Sequence, residues 1–297
     1  MNRLILSFTV GAVLALSGEA RAVIVANSTT NTSNPGNGVP WGNVGALNGA
    51  TGIYLGNSWV LTAGHVGVGA LVLDIGTFFP EGDAVQIVNP DGTAADMIMF
   101  RLSAEPNLPP LTLASSAPAM NSDFVMIGNG RIRGSSQKTY TWTDSTNVSR
   151  TGTGFDWSTS GFKSFGTNRV SSLVSSVFNT QSFISDFTRA SGPLNTATSS
   201  EGQAAVGDSG GAAFTRTSAL SNTWQLSGMM FAIGGFGGQP ANTALYGNVT
   251  YYADIASYSP QIETTRLIPE PSTALLLVAA GGLLGLRASG RKRSRLL

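Results

Sequence analysis

The chain has 297 residues, 42% hydrophobic and 11% charged, with 37 Gly, one His and no Cys; that is enough for one large domain or two small fused ones, and it excludes disulfides and thiolate metal sites. Its formal charge of +1 comes from the ends, because residues 23–272 carry ten Lys and Arg against fifteen Asp and Glu, a formal −5. No basic footprint for nucleic acid exists, and the few charges among many Gly, Ser, Thr and Asn suit an all-β exported protein rich in turns.

The chain starts Met1-Asn2-Arg3, runs apolar over 4–16, and reaches the small-x-small pattern Ala20-Arg21-Ala22. This predicts a secretory signal peptide over 1–22, cut after Ala22, because the apolar run is short for an uncleaved anchor. The mature chain then begins Val23-Ile24-Val25. Residues 27–37 have no periodicity and read as a loop. Residues 52–55 and 59–62 read as a hairpin turning at Gly56-Asn57-Ser58, directly followed by Leu61-Thr62-Ala63-Gly64-His65-Val66. Short strands are expected at 72–80 and 85–88, ending in the turn Asn89-Pro90-Asp91-Gly92. At 95–102 an acid, Asp96, leads into an apolar run of the buried-strand type. A Pro- and Ala-rich bridge follows Glu105, and residues 124–128 open a second half. Residues 135–200 read as several antiparallel strands and long loops that the pattern does not place one by one. Two strands, 212–214 and 224–233, follow the Gly-rich turn Gly207-Asp208-Ser209-Gly210-Gly211. No helical period is visible before the tail.

The end of the chain has its own pattern. Ile268-Pro269-Glu270-Pro271-Ser272-Thr273 precedes an apolar stretch, 274–286, and then Arg287, Arg291, Lys292, Arg293 and Arg295. The apolar stretch is short against the roughly 20 residues of a spanning helix, but five cations beyond it favour a membrane orientation with a cytoplasmic tail. It resembles the PEP-CTERM sorting signal of exported bacterial proteins. The resemblance implies an exosortase-type processing enzyme as partner, and transient or permanent membrane anchoring at the cell surface or release from it.

A serine hydroxyl is a poor nucleophile until a base takes its proton, and the chain holds a single histidine, His65. Asp74, Asp83, Asp91, Asp96 and Asp123 lie between His65 and Ser209; Asp96 is favoured because it alone leads into a long apolar strand. The turn also fits the G-x-S-x-G elbow of α/β-hydrolases, but that order needs a histidine after the serine. The subtilisin order needs an Asp before His65, and there is none. Only His, Asp, Ser remains.

The Ala63-Gly64-His65 and Gly207–Gly211 segments together resemble the trypsin-like (chymotrypsin-fold) serine protease family, over about 23–258. The resemblance implies an all-β fold of two antiparallel six-stranded β-barrels with the active site between them. The first barrel covers about 23–115 and the second about 120–260. A linker with the Pro-Glu-Pro motif takes 261–272, and the apolar helix and basic tail take 273–297. It further implies Ser209 as nucleophile, His65 as base, Asp96 as orienting acid, and the N–H groups of Gly207 and Ser209 as the oxyanion hole. Gln203 and Ala204 are assigned to the substrate pocket. Gln203 stands six residues before the serine, where trypsin carries an acid, so the neutral pocket argues against cleavage after Lys or Arg. Asp208 is expected to pair with the α-ammonium of Val23. Protein or peptide is the implied substrate, and neither cofactor nor metal is called for. The rival readings are a catalytically silent protease-fold surface or matrix protein, and an ester hydrolase using the same triad.

Overall fold

A computed structural model describes residues 23–27, 31–189, 197–218 and 221–268. The expected signal peptide, the Pro-Glu-Pro motif and the apolar tail lie outside the described residues.

The first half follows strand β1 (Ile24–Val25) and a single 3-10 turn at Trp41–Asn43. Its strands are β2 (Val44–Leu47), β3 (Ala50–Gly56), β4 (Trp59–Thr62), β5 (Leu71–Leu73), β6 (Gly76–Phe78), β7 (Pro80–Val88) and β8 (Ala94–Leu102). They pair in the order β6-β5-β2-β3-β4-β8-β7, all antiparallel. The β3–β4 turn places Asn57 (φ +53°) and Ser58 (φ +63°) both in the left-handed region, the twist a tight hairpin favours. Successive strand residues face opposite ways. Tyr54, Val60 and Phe100 therefore pack with Leu47 and Leu71, while Ile53, Leu61 and Met99 pack with Val125, Ile127 and Phe214 of the second half. Strands covered on both faces need apolar residues on both, hence the unbroken run after Asp96. The strand expected at 72–80 is two strands, β5 and β6. The one expected at 85–88 begins at Pro80, because an exposed, bulged edge segment around Gly82 (φ +72°) has no apolar alternation to announce it.

The second half contains β9 (Asp123–Gly128), β10 (Arg131–Arg133), β11 (Lys138–Thr143), β12 (Ser149–Gly161), β13 (Ser164–Arg169), β14 (Ser172–Val177) and β15 (Thr180–Asp186). It continues with β16 (Gly202–Gln203), β17 (Ala212–Arg216), β18 (Trp224–Gly234), β19 (Thr243–Leu245) and β20 (Val249–Asp254). Seven form the sheet β13-β9-β17-β18-β20-β15-β14, while β10, β11, β12 and β19 form a second layer and β1 pairs with β16. The fold is thus all-β in two antiparallel halves. The largest sheet of each half carries seven strands, β6 and β14 being hairpin returns at sheet edges.

The chain then forms α1 (Ile255–Arg266), whose first turn is capped by the Asp254 carboxylate accepting from Ala256 N at 3.2 Å. Ile255, Tyr258 and Ile262 bury one face of α1 in the cluster shared by both halves. Helix therefore occupies the start of the segment expected as linker from 261. It escaped the pattern because only three apolar positions mark its face and Pro260 lies inside it.

Candidate active site

His65 comes three residues after the end of β4, and the β4–β8 register, Thr62 opposite Ile98, brings that segment alongside Asp96. Gly64 permits the approach, since a Cβ there would stand 3.0 Å from Asp96 Oδ1. The Asp96 carboxylate receives two bonds from one residue: His65 N donates to Oδ1 at 3.0 Å, and His65 Nδ1 lies 2.7 Å from Oδ2. Asp96 N in turn donates to Thr180 Oγ1 at 2.9 Å, so β15 of the second half steadies the acid's backbone. The hydrogen bond to Asp96 raises the His65 pKa above its ordinary 6.5, against partial burial, which lowers it. Burial pushes Asp96 upward, but the side-chain and backbone bonds from His65 and the Gly64 N–H outweigh it and leave the carboxylate below its usual range.

Ser209 sits in a turn whose geometry demands glycine. Gly207 (φ +97°) and Gly210 (φ +82°) are left-handed, and a Cβ on Gly210 would overlap Thr51 O and Thr62 Oγ1. Thr51 of β3 holds this turn: its N–H donates to Ser209 O at 3.0 Å and its Oγ1 to Gly207 O at 2.9 Å, while Asn129 N donates to Thr51 Oγ1 at 2.9 Å. The amides of Asp208, Gly210 and Gly211 donate to Ala205 O, Met230 O and Asp208 O at 3.0, 2.7 and 2.8 Å. Those of Gly207 and Ser209 donate to no described residue. Two unspent N–H groups thus flank Asp208 in the Ser209 turn. His65 and Ser209 line one cleft of about 240 Å³ between the halves, with Ala204, Gly207 and Phe231 also on its walls. Gln203 is 2% exposed and lines an adjoining cavity. A larger groove of about 940 Å³, between Arg169 and Trp224, holds none of the expected site residues.

Asp208 turns away from the cleft and is fully buried. Its carboxylate accepts from Gly130 N at 2.9 Å, Ala205 N at 2.8 Å and the Val23 backbone N–H. Gly128 has no room for a side chain, because a Cβ would overlap Asp208. Burial pushes this carboxyl up to about 7 despite those three bonds. Val23 is equally enclosed, its side chain lying between Gly166 and Gly202. Arg133 Nη1 grips the following residues, donating to Val25 O at 3.2 Å and Ala26 O at 2.6 Å, and Ala26 N donates to Glu201 O at 2.8 Å.

His65, Ser209, Gly207 and Ala204 therefore line the cleft, Asp96 is bonded to His65, and Gln203 lines the adjoining cavity. Thr51 and Thr180, which hold the Ser209 turn and Asp96, were not found in the sequence; a threonine in a strand carries no mark of which loop it will meet. Among the described residues no three His, Cys, Asp or Glu side chains gather as a metal site.

No curated protein matches the chain. Many solved structures resemble it, two of them at closely similar levels. One is neuropsin, a serine protease expressed in the limbic system of mouse brain, with 16% identity over 79% of this chain and 97% of that one, TM-score 0.46. The other is kallikrein-related peptidase 10 in complex with Zn2+, with 16% identity over 78% and 98%, TM-score 0.45. The trypsin family matches residues 29–256, most of the chain. The chain belongs to the trypsin family and is a serine-type endopeptidase.

Proposed function

We propose that the protein is an exported endopeptidase working through His65, Asp96 and Ser209. The observation that carries this reading is the imidazole of His65, tied through Nδ1 to Asp96 at 2.7 Å and opening on the cleft that Ser209 also lines. With Nδ1 engaged, Nε2 is the nitrogen left to take the Ser209 proton as the hydroxyl attacks the scissile carbonyl. The protonated ring then returns it to the leaving amine, and water repeats the cycle on the acyl-enzyme. The tetrahedral oxyanion takes the two unspent N–H groups of Gly207 and Ser209, each such donor contributing about 3–4 kcal/mol at the transition state.

Processing belongs to the same reading. Cleavage after Ala22 turns the Val23 N–H, already at Asp208, into an ammonium. The buried carboxylate then gains a counter-charge, which fixes the turn carrying Ser209. The cavity that Gln203 lines has no charged residue, which disfavours cleavage after Lys or Arg. A signal peptide over 1–22, a protease domain from 23 to about 260, and a sorting signal processed by an exosortase-type enzyme complete the proposal.

The test is hydrolysis of a broad set of internally quenched peptides by the full chain produced with its leader. Cleavage by wild type that falls to background in folded Ser209→Ala and His65→Ala supports the reading. No cleavage by folded protein beginning at Val23 favours the silent scaffold, and turnover of esters alone favours the ester hydrolase.

A further inference from the structure

The turn Asn89-Pro90-Asp91-Gly92 joins β7 to β8, and Asp96 follows it near the start of β8. A second tight turn, Phe178 (φ +45°) and Asn179 (φ +59°), joins β14 to β15 in the other half. The two meet at two points: Asn89 Nδ2 donates to Asn179 O at 2.6 Å, and Asp96 N donates to Thr180 Oγ1 at 2.9 Å.

Tyr258 of α1 closes this junction. Its hydroxyl accepts from Gln181 N at 2.8 Å and donates to Asn89 Oδ1 at 2.7 Å. Gln181 lies between Thr180 and Ser182, which pair with β14 where the register shifts, and its N–H turns to Tyr258. Asn179, Thr180 and Gln181 are thus tied in succession to Asn89, Asp96 and Tyr258. The Asn89 amide is fully engaged, since Nδ2 also donates to Thr93 Oγ1 at 3.0 Å. Thr180, Tyr258 and Asn89 are 0%, 2% and 8% exposed. Water does not replace a bond lost there, and an orphaned buried donor or acceptor costs more than its bond contributes. Burial above all, with Asp254 and Asp91 adding to it, pushes the Tyr258 pKa above 10 despite the Gln181 bond, so the hydroxyl keeps the proton it donates.

We propose that Tyr258 and Asn89 are positioning residues for Asp96, acting through Thr180. The inference rests on Asp96 being the acid that orients His65. The acid's own N–H ends on Thr180, so slack at the β14–β15 turn is slack in the carboxylate that holds the imidazole. Neither Tyr258 nor Asn89 is on the wall of the cleft, which separates their effect from substrate binding. A tie that served stability alone would lower the melting temperature and leave kcat as it is.

The experiment compares Tyr258→Phe and Asn89→Ala with wild type, as the full chain processed to begin at Val23, with active sites counted by fluorophosphonate. In each variant kcat should fall about tenfold with KM unchanged. The His65 midpoint, read by NMR and by the pH profile of kcat/KM, should move down toward 6.5, because a loosened Asp96 raises it less. Thr180→Val should show the same signature, and Thr180→Ser, which keeps the acceptor for Asp96 N, should recover most of the loss. Tyr258→Phe should add little to Thr180→Val, since both act through one contact. If one of Tyr258→Phe and Asn89→Ala does not fold, the other decides. A folded variant of either kind with wild-type kcat and His65 midpoint overturns the inference, however low its melting temperature, and so does a change in KM alone. Ser209 labelled in variants that behave so removes this inference alone; a wild type that neither labels nor cleaves removes the triad reading with it.

Discussion

The two halves of the molecule bring their parts of the site to the cleft by different means. His65 and Asp96 are placed by adjacent paired strands, β4 and β8, and their mutual bonds close within 31 residues of chain. Ser209 lies in a turn that no strand contains. It is held by Thr51 from the other half, by Asp208 at its back, and through Asp208 by Val23, far away in sequence. The His65–Asp96 pair therefore closes mainly within the first half, with Thr180 bracing it from the second, whereas the Ser209 turn depends on remote contacts that reach back to Val23. The His65–Asp96 pair should keep its geometry under changes confined to Val23 and Asp208.

The largest effect expected from a change confined to the first half is that of Asp96→Asn. Loss of the carboxylate leaves the His65 tautomer and charge unsupported, and kcat should fall by about 10⁴. An NMR titration should show the His65 pKa reduced from its raised wild-type position, since the Asp96 bond is its leading cause. On the proposed mechanism activity needs neutral His65, so kcat/KM should rise with pH through a midpoint above 6.5. An unchanged His65 titration in Asp96→Asn would refute the local construction of the pair.

Residues added before Val23 should act on the second half alone. With the ammonium absent, kcat/KM is expected to fall about 10²-fold through misplacement of the nucleophile turn, and the His65 titration should not move. Stability carries a separate sign. An Asp208 that keeps its proton to about pH 7 in the folded chain, against 3.8 ordinarily, makes the extended form lose stability as pH rises between those values. The melting temperature of the form beginning at Val23 should therefore exceed that of the extended form by more at pH 8 than at pH 5. A constant gap would break the link between Asp208 and the first residue.

Thr51→Val should have the smallest effect. It removes the Oγ1 bonds to Gly207 O and from Asn129 N while keeping the backbone bond to Ser209 O. A loss of about 1–3 kcal/mol in stability is expected by chemical denaturation, with a modest fall in kcat. No loss would mean that the turn does not rely on the first half.

The same contrast explains what could be read from the sequence. Ala63-Gly64-His65, Asp96 before its apolar run and Gly207-Asp208-Ser209-Gly210-Gly211 are local patterns, and each local pattern has a local physical cause: Gly64 makes room for a carboxylate, and Gly207 and Gly210 take left-handed φ. The β3–β4 hairpin, β8, β9, β17 and β18 were legible for a similar reason, each being a short apolar run bounded by turn residues. The strands between 135 and 200 were not, because half-exposed strands rich in Ser and Thr carry little apolar alternation. α1 shows only three buried apolar positions and contains Pro260. Thr51, Thr180 and Arg133 matter through partners tens to more than a hundred residues away, a relation that only the folded chain expresses.

The most direct measurement is active-site labelling with a fluorophosphonate, with the modified residue located by peptide mass spectrometry, on the full chain processed to begin at Val23. Stoichiometric modification at Ser209, lost in His65→Ala and weakening below the His65 midpoint as pH falls, is the predicted result. Folded protein that stays unlabelled, or that labels equally well without His65, would contradict the account.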